Sequence, residues 1–148
     1  MTLLIVEDIP EEAEKLRAAA LDSGLVDRVR WAPDLSSARM ILDATAGMHP
    51  EERDGIIVFL DHDLPESYGG PDTGSGADIA KAMLRIDPDT PIVGISAVPS
   101  NNVHLESCGA FMSVEKAYAS QLMPSILRAC VTWRKAMEKG RNPNLPIY

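Results

Sequence analysis

The chain is predicted to be an α/β protein, a parallel sheet covered by helices on both faces. Three observations predict this. Short aliphatic runs alternate with helical patterns through five β/α units. Two of the runs, Leu3 to Val6 and Ile56 to Leu60, are apolar at every position, as strands buried on both faces require. The length of 148 residues suits one domain, and 45 % apolar residues are enough to build its core. Aromatic residues make up only 5 %, so that core is mainly Ile, Val, Leu, Ala and Met.

The elements follow in order. Leu3 to Val6 is the first strand. Pro10 opens a helix with acids in its first turn, where the dipole favours them. Ala13, Leu16 and Ala20 give that helix its stripe, and Gly24 stops it. Val29 and Trp31 alternate with Arg28 and Arg30 in a short second strand. Ser36 to Ala46 is helical, with Ala38, Ile41, Leu42 and Thr45 on one side. Gly47 to Gly55 is a polar loop. Ile56 to Leu60 is the strongest strand and ends at Asp61. Pro65 to Gly76 is a long loop rich in Gly, Pro and Ser. Ser75 caps the next helix, which turns Ile79, Ala80, Met83 and Leu84 inward. Asp87-Pro88-Asp89 breaks it. Ile92 to Ile95 is a fourth strand ended by Ser96, Asn101 to Ser107 a short helix, and Phe111 to Val114 a fifth strand. The last helix runs from about Ser120 to Glu138, with Met123, Ile126, Leu127, Cys130, Val131 and Met137 in its stripe. Residues 1–139 therefore read as one domain, and 140–148, with two prolines, as a flexible C-terminal tail.

Composition excludes several function classes. The formal net charge of −8 repels phosphate backbones and anionic lipids, which disfavours nucleic acid and membrane partners. No apolar run approaches the ~20 residues of a membrane helix. The N-terminal apolar run is short and lacks a basic lead, unlike a signal peptide. Cys108 and Cys130 match no metal or redox spacing and read as reduced thiols of a cytoplasmic protein.

In open α/β sheets, ligands bind at the carboxyl ends of the strands. The first strand delivers Glu7 and Asp8 there, and the third Asp61, His62 and Asp63. The fourth delivers Ser96, and the fifth leads to Glu115 and Lys116. Carboxylates brought together repel one another and stay ionised only with a compensating cation. Hard oxygen ligands, few in number, suit Mg²⁺, which keeps several waters. A nearby carboxylate can then attack phosphorus, with Lys116 and the Ser96 hydroxyl on other phosphoryl oxygens.

Val6-Glu7-Asp8, Leu60-Asp61-His62-Asp63-Leu64-Pro65, Pro91 to Ala97 and Val114-Glu115-Lys116 resemble the four signatures of response-regulator receiver domains of two-component signalling. They occur in the family's order, and the resemblance covers roughly Leu3 to Glu138. It implies a flavodoxin-like, doubly wound five-stranded parallel sheet of order 2-1-3-4-5. It implies Asp61 as phospho-acceptor, and Glu7, Asp8, Asp61 and the backbone carbonyl of Asp63 as Mg²⁺ ligands. Ser96 is then the switch hydroxyl and Lys116 the phosphoryl-binding amine. The donor is a histidine kinase or a histidine phosphotransfer protein. With no added output domain, the signal passes to a downstream protein target, and a homodimer is one form this can take. Such a protein is a phosphoryl acceptor rather than an enzyme, apart from self-catalysed phosphotransfer and dephosphorylation. Two positions depart from the pattern: Ala117 stands where the family usually has Pro, and Ser113 where it has an aromatic, with Tyr118 a substitute.

Two other readings compete. Glu7 with Asp61-x-Asp63 also resembles a Toprim domain, the Mg²⁺ module of nucleic-acid enzymes. The charge of −8 and the lack of basic clusters oppose that reading, and it leaves Ser96 and Lys116 unexplained. The Ala117 and Ser113 departures fit a pseudo-receiver that binds a partner without phosphorylation. Ser96 could also bond only to its own loop backbone. His62 reads as an exposed neighbour of Asp61, since no second His lies at ligand spacing, and His49 and His104 have no assigned role. Gly69-Gly70 and Gly74-x-Gly76 read as flexible loop, since no Lys-Ser/Thr follows.

Overall fold

The structure is a computed structural model that describes residues 1–53 and 55–141. Five strands, β1 (Thr2–Val6), β2 (Arg28–Ala32), β3 (Ile56–Leu60), β6 (Ile92–Gly94) and β7 (Met112–Ser113), form one parallel sheet. Its order is β2-β1-β3-β6-β7. With the two strands of a small separate hairpin set aside, this is the expected 2-1-3-4-5 order.

The strand period of two divides the core between the faces of the sheet. Leu4, Val6, Val58 and Leu60 face α2 (Leu35–Ala46), α4 (Gly76–Ile86) and α5 (Pro99–Ser107). Leu3, Ile5, Ile57, Phe59 and Val93 face α1 (Pro10–Asp22) and α7 (Met123–Arg141). β1 and β3 are buried on both sides because they lie inside the sheet. β2 is an edge strand, which explains its arginines and the exposed Trp31.

Several boundaries differ from expectation, each for a local reason. The loop after α2 holds a one-turn helix, α3 (Pro50–Arg53), started by Pro50. The loop from Pro65 to Gly76 folds back on itself. β4 (Asp63–Leu64) and β5 (Gly74–Ser75) pair antiparallel, and Gly74 makes this close approach possible. A Cβ at Gly74 would lie 2.0 Å from Leu35 Cδ1. α5 starts earlier than predicted, at Pro99. The last helix, α7, starts at Met123 and not at Ser120, and an additional turn, α6 (Lys116–Ala119), lies ahead of it. Met137, expected in the α7 stripe, is 41 % exposed. Gly140 and Arg141 continue α7, and the rest of the predicted tail lies outside the described residues.

Among the described residues no helix is long and apolar enough to cross a membrane. Both cysteines are free, Cys108 half-buried and Cys130 buried. Burial pushes the Cys130 thiol up to about 12, so it stays protonated at neutral pH.

Candidate functional site

Strand register brings the acids together. Val6 pairs with Leu60, and the Asp61 N–H donates to the Val6 carbonyl at 3.0 Å. Glu7 and Asp61 thus leave neighbouring strands at the same level. Carboxylate oxygens of Glu7, Asp8 and Asp61 lie within 4.8 Å of one another. From the end of β7, Lys116 reaches back so that its Nζ lies 2.8 Å from Glu7 Oε2 and donates to Asp61 Oδ2 at 2.9 Å. The second Asp61 oxygen, Oδ1, accepts from the His62 N–H at 2.8 Å. Glu7 is fully buried and Asp61 is 7 % exposed.

The charges in this cluster are strained. Burial, and then the neighbouring Asp61, push the Glu7 carboxyl up to about 7, and Lys116 offsets only part of that. The Asp61 carboxyl is raised too, mainly by burial. Lys116 is held above its ordinary value by Glu7 and Asp61, against the opposing effect of its own burial. One ammonium does not compensate three carboxylates. Glu7 Oε2 is buried, and its neighbour is the Lys116 ammonium at 2.8 Å, a charge that it shares with Asp61. An oxygen in this state fits a hard divalent cation, and the all-carboxylate donor set suits Mg²⁺.

The other expected residues sit around this cluster. Ser96 is buried on the same sheet edge, and its Oγ accepts from the Val98 N–H at 3.1 Å. That is the local backbone bond considered as the alternative for this residue. The Asp63 carboxylate turns to His62 and Asn101, not to the cluster. His62 is not an exposed neighbour: its side chain is 13 % exposed, and a second histidine, His104, lies 2.7 Å away. The one-dimensional spacing hid this pair, because 42 residues separate its members. Tyr118 is exposed, and Ser113 is half-buried in β7.

Solved structures share this architecture. NtrX from Brucella abortus matches 97 % of this chain with a TM-score of 0.74 at 21 % identity. The chain spans 29 % of that protein's length. A response regulator receiver domain protein from Clostridium thermocellum matches 92 % of this chain and 98 % of its own, with a TM-score of 0.70 at 16 % identity. The chain has the receiver-domain fold. A CheY-like receiver domain protein from Methanospirillum hungatei is similar as well, with a TM-score of 0.68 at 14 % identity, covering 92 % of this chain and 97 % of that one. No family model matches the sequence, and no curated protein matches it.

Within this receiver fold, two residues that sequence reasoning did not single out shape the site. Asn102, on α5, is 6 % exposed. Its Oδ1 accepts from the Ser96 N–H at 2.9 Å, and its Nδ2 donates to the carbonyls of Ser96 (3.0 Å) and Val114 (3.3 Å). One amide therefore fastens the ends of β6 and β7, the segments that carry Ser96 and Lys116. Asp72 comes from the long loop. Desolvation, then the charge of Asp8 and a hydrogen bond with it, raise its carboxyl above the usual range. The loop thus carries a further acid to the rim of the cluster.

Proposed function

We propose that the chain is a phosphorelay receiver that accepts a phosphoryl group on Asp61 in the presence of Mg²⁺. The observation that carries this reading is the convergence of Glu7, Asp8 and Asp61 within 4.8 Å, with Lys116 Nζ bridging two of them. Glu7, Asp8, Asp61 and the backbone carbonyl of Asp63 hold the ion. The bound ion supplies charge neutralisation at the phosphoryl oxygens. An Asp61 carboxylate oxygen attacks phosphorus, the bond from phosphorus to the donor imidazole nitrogen breaks, and the imidazole leaves with the electron pair. Lys116 shifts from the carboxylates to the phosphoryl oxygens, and Ser96 donates its hydroxyl hydrogen to another of them. The donor is a histidine kinase or a histidine phosphotransfer protein. The aspartyl phosphate adds about −1.5 to −2 charges at this edge and biases the binding of a downstream protein target.

The test is incubation with acetyl phosphate and Mg²⁺, followed by intact mass. The expected result is a gain of one phosphoryl group that vanishes in Asp61→Asn and persists in Asp63→Asn. Labelling that survives in Asp61→Asn rejects the acceptor assignment. A wild type that takes up nothing, and whose amide spectrum ignores beryllofluoride with Mg²⁺, favours a pseudo-receiver.

A further inference from the structure

Outside the carboxylate cluster, two histidines from distant parts of the chain meet. His62 lies on the link between β3 and β4, and His104 on α5. His62 Nε2 is 2.7 Å from His104 Nδ1, with ring centroids 5.0 Å apart and ring planes tilted by 58°. On the other side of its ring, His62 Nδ1 lies 2.7 Å from Asp63 Oδ1. Asp63 Oδ2 in turn accepts from Asn101 Nδ2 at 3.2 Å. An ionised carboxylate only accepts, so His62 carries its proton on Nδ1. In neutral His62 the Nε2 lone pair then points at His104, whose Nδ1 carries the hydrogen between them. His104 is exposed, so solvent reaches the pair.

We propose that His62 Nε2 and His104 Nδ1 form a two-imidazole site for a divalent transition-metal ion of the Zn²⁺ class, with Asp63 as the carboxylate that orients His62. The donor set decides the ion: imidazole suits Zn²⁺, Ni²⁺ and Cu²⁺, whereas Mg²⁺ prefers oxygen. A carboxylate on the far nitrogen of a ligating histidine fixes its tautomer and raises its basicity. Two Zn–N bonds of about 2.0–2.1 Å at a tetrahedral angle separate the nitrogens by roughly 3.3 Å. A rotation of the exposed His104 side chain, carrying its Nδ1 roughly 2 Å off the His62 lone-pair axis, opens the present 2.7 Å contact that far. With the ion bound, His104 carries its hydrogen on Nε2 in place of Nδ1, which frees the Nδ1 lone pair to ligate. Water completes the coordination. The ion then ties the segment after Asp61 to α5. This site does not depend on phosphorylation of Asp61.

The experiment is calorimetric titration of the whole chain with Zn²⁺ in excess Mg²⁺, paired with the Cu²⁺ electron paramagnetic resonance spectrum. Wild type is expected to bind one Zn²⁺ and to show two-nitrogen coordination of Cu²⁺. His104→Gln, on an exposed helix face, should weaken Zn²⁺ binding about tenfold or more and leave one nitrogen on Cu²⁺. Asp63→Asn should weaken it about tenfold, and His49→Gln should change nothing. Zn²⁺ binding that is unaltered in both His62→Gln and His104→Gln, or a Cu²⁺ spectrum without two nitrogens, overturns the site. Acetyl phosphate labelling of His104→Gln without Zn²⁺ stays at the wild-type level, so this failure and failure of the acceptor assignment are told apart.

Discussion

Glu7 is a fully buried acid whose carboxyl is pushed up from 4.5 to about 7. Its folded-state value lies above the unfolded one, so protons favour the folded chain. The stabilising contribution is complete below about pH 4.5 and is lost as pH rises through about 7. Asp61, also raised by burial, acts with the same sign. The metal-free protein should therefore melt at a lower temperature at about pH 8 than at about pH 5, and saturating Mg²⁺ should flatten the dependence. Glu7→Gln should remove much of the slope and stabilise the metal-free protein at about pH 8 by on the order of 1–3 kcal/mol, while weakening Mg²⁺ binding. Melting curves in chelator that are superimposable for wild type and Glu7→Gln at both pH values would refute this. Glu7, Asp8 and Asp61 were legible in the sequence because they follow aliphatic runs that can only be buried strands, and Lys116 because it follows the weaker fifth strand, which is short and half-buried. Asn102, Asp72 and His104 were not, because the partner of each lies on a remote segment and nothing in their local sequence marks it.

At the scale of elements, the site depends on how closely α4 approaches the end of β3. The Gly76 N–H donates to the His62 carbonyl at 2.6 Å, and a Cβ at Gly76 would sit 1.9 Å from the Asp61 carbonyl oxygen. That neighbour is backbone and cannot swing aside. Gly76→Ala should cost roughly 2–4 kcal/mol in urea denaturation and slow labelling of Asp61, since the segment after β3 must shift. A loss below about 0.5 kcal/mol with unchanged labelling would show that the approach is not needed. Asn102 makes a parallel case on the other side. Asn102→Ala strands the buried Ser96 N–H and should cost about 1–3 kcal/mol, with a lower labelling rate because Lys116 loses its anchor. Equal stability in the two proteins would remove the clamp from the account. The long strands and helices could be read from period and caps alone. The β4–β5 hairpin could not: its strands are two residues long and owe their pairing to the anchoring of the loop on α2. There Asp34 accepts from the Ser37 and Tyr68 N–H groups, and Leu35 and Ser36 donate to the Pro65 and Glu66 carbonyls. Asp34-x-x-Ser37 reads locally as a helix cap, and its second role toward the loop needs the third dimension.

Across the whole molecule the two ends of the sheet do different work. The carboxyl ends of the strands gather acids whose burial, with their mutual repulsion, works against the folded state, as raised carboxyls at Glu7 and Asp61 attest. At the opposite end, Arg134 of α7 is 8 % exposed and is held by several polar partners. It donates to the Asp87 carboxylate at 2.8 Å, to the Asp89 carbonyl at 3.2 Å and to Glu138 at 2.8 Å, while Arg141 pairs with the buried Asp89 carboxylate. These bonds tie the last helix to the break after α4 and to the start of β6. The acids here are matched by cations, so the network holds the fold without asking for an ion. Arg134→Met keeps the stem and removes the charge, taking the guanidinium from the Asp87 carboxylate and the Asp89 carbonyl while Arg141 stays on the Asp89 carboxylate, and should destabilise the chain by about 3–5 kcal/mol. If chemistry and stability are lodged at separate ends, the same variant, held well below its melting temperature, labels Asp61 with acetyl phosphate at the wild-type rate. A labelling rate that falls while the variant remains folded would mean that the two ends communicate through the sheet, and Arg134 would then be part of the switch and not only of the scaffold.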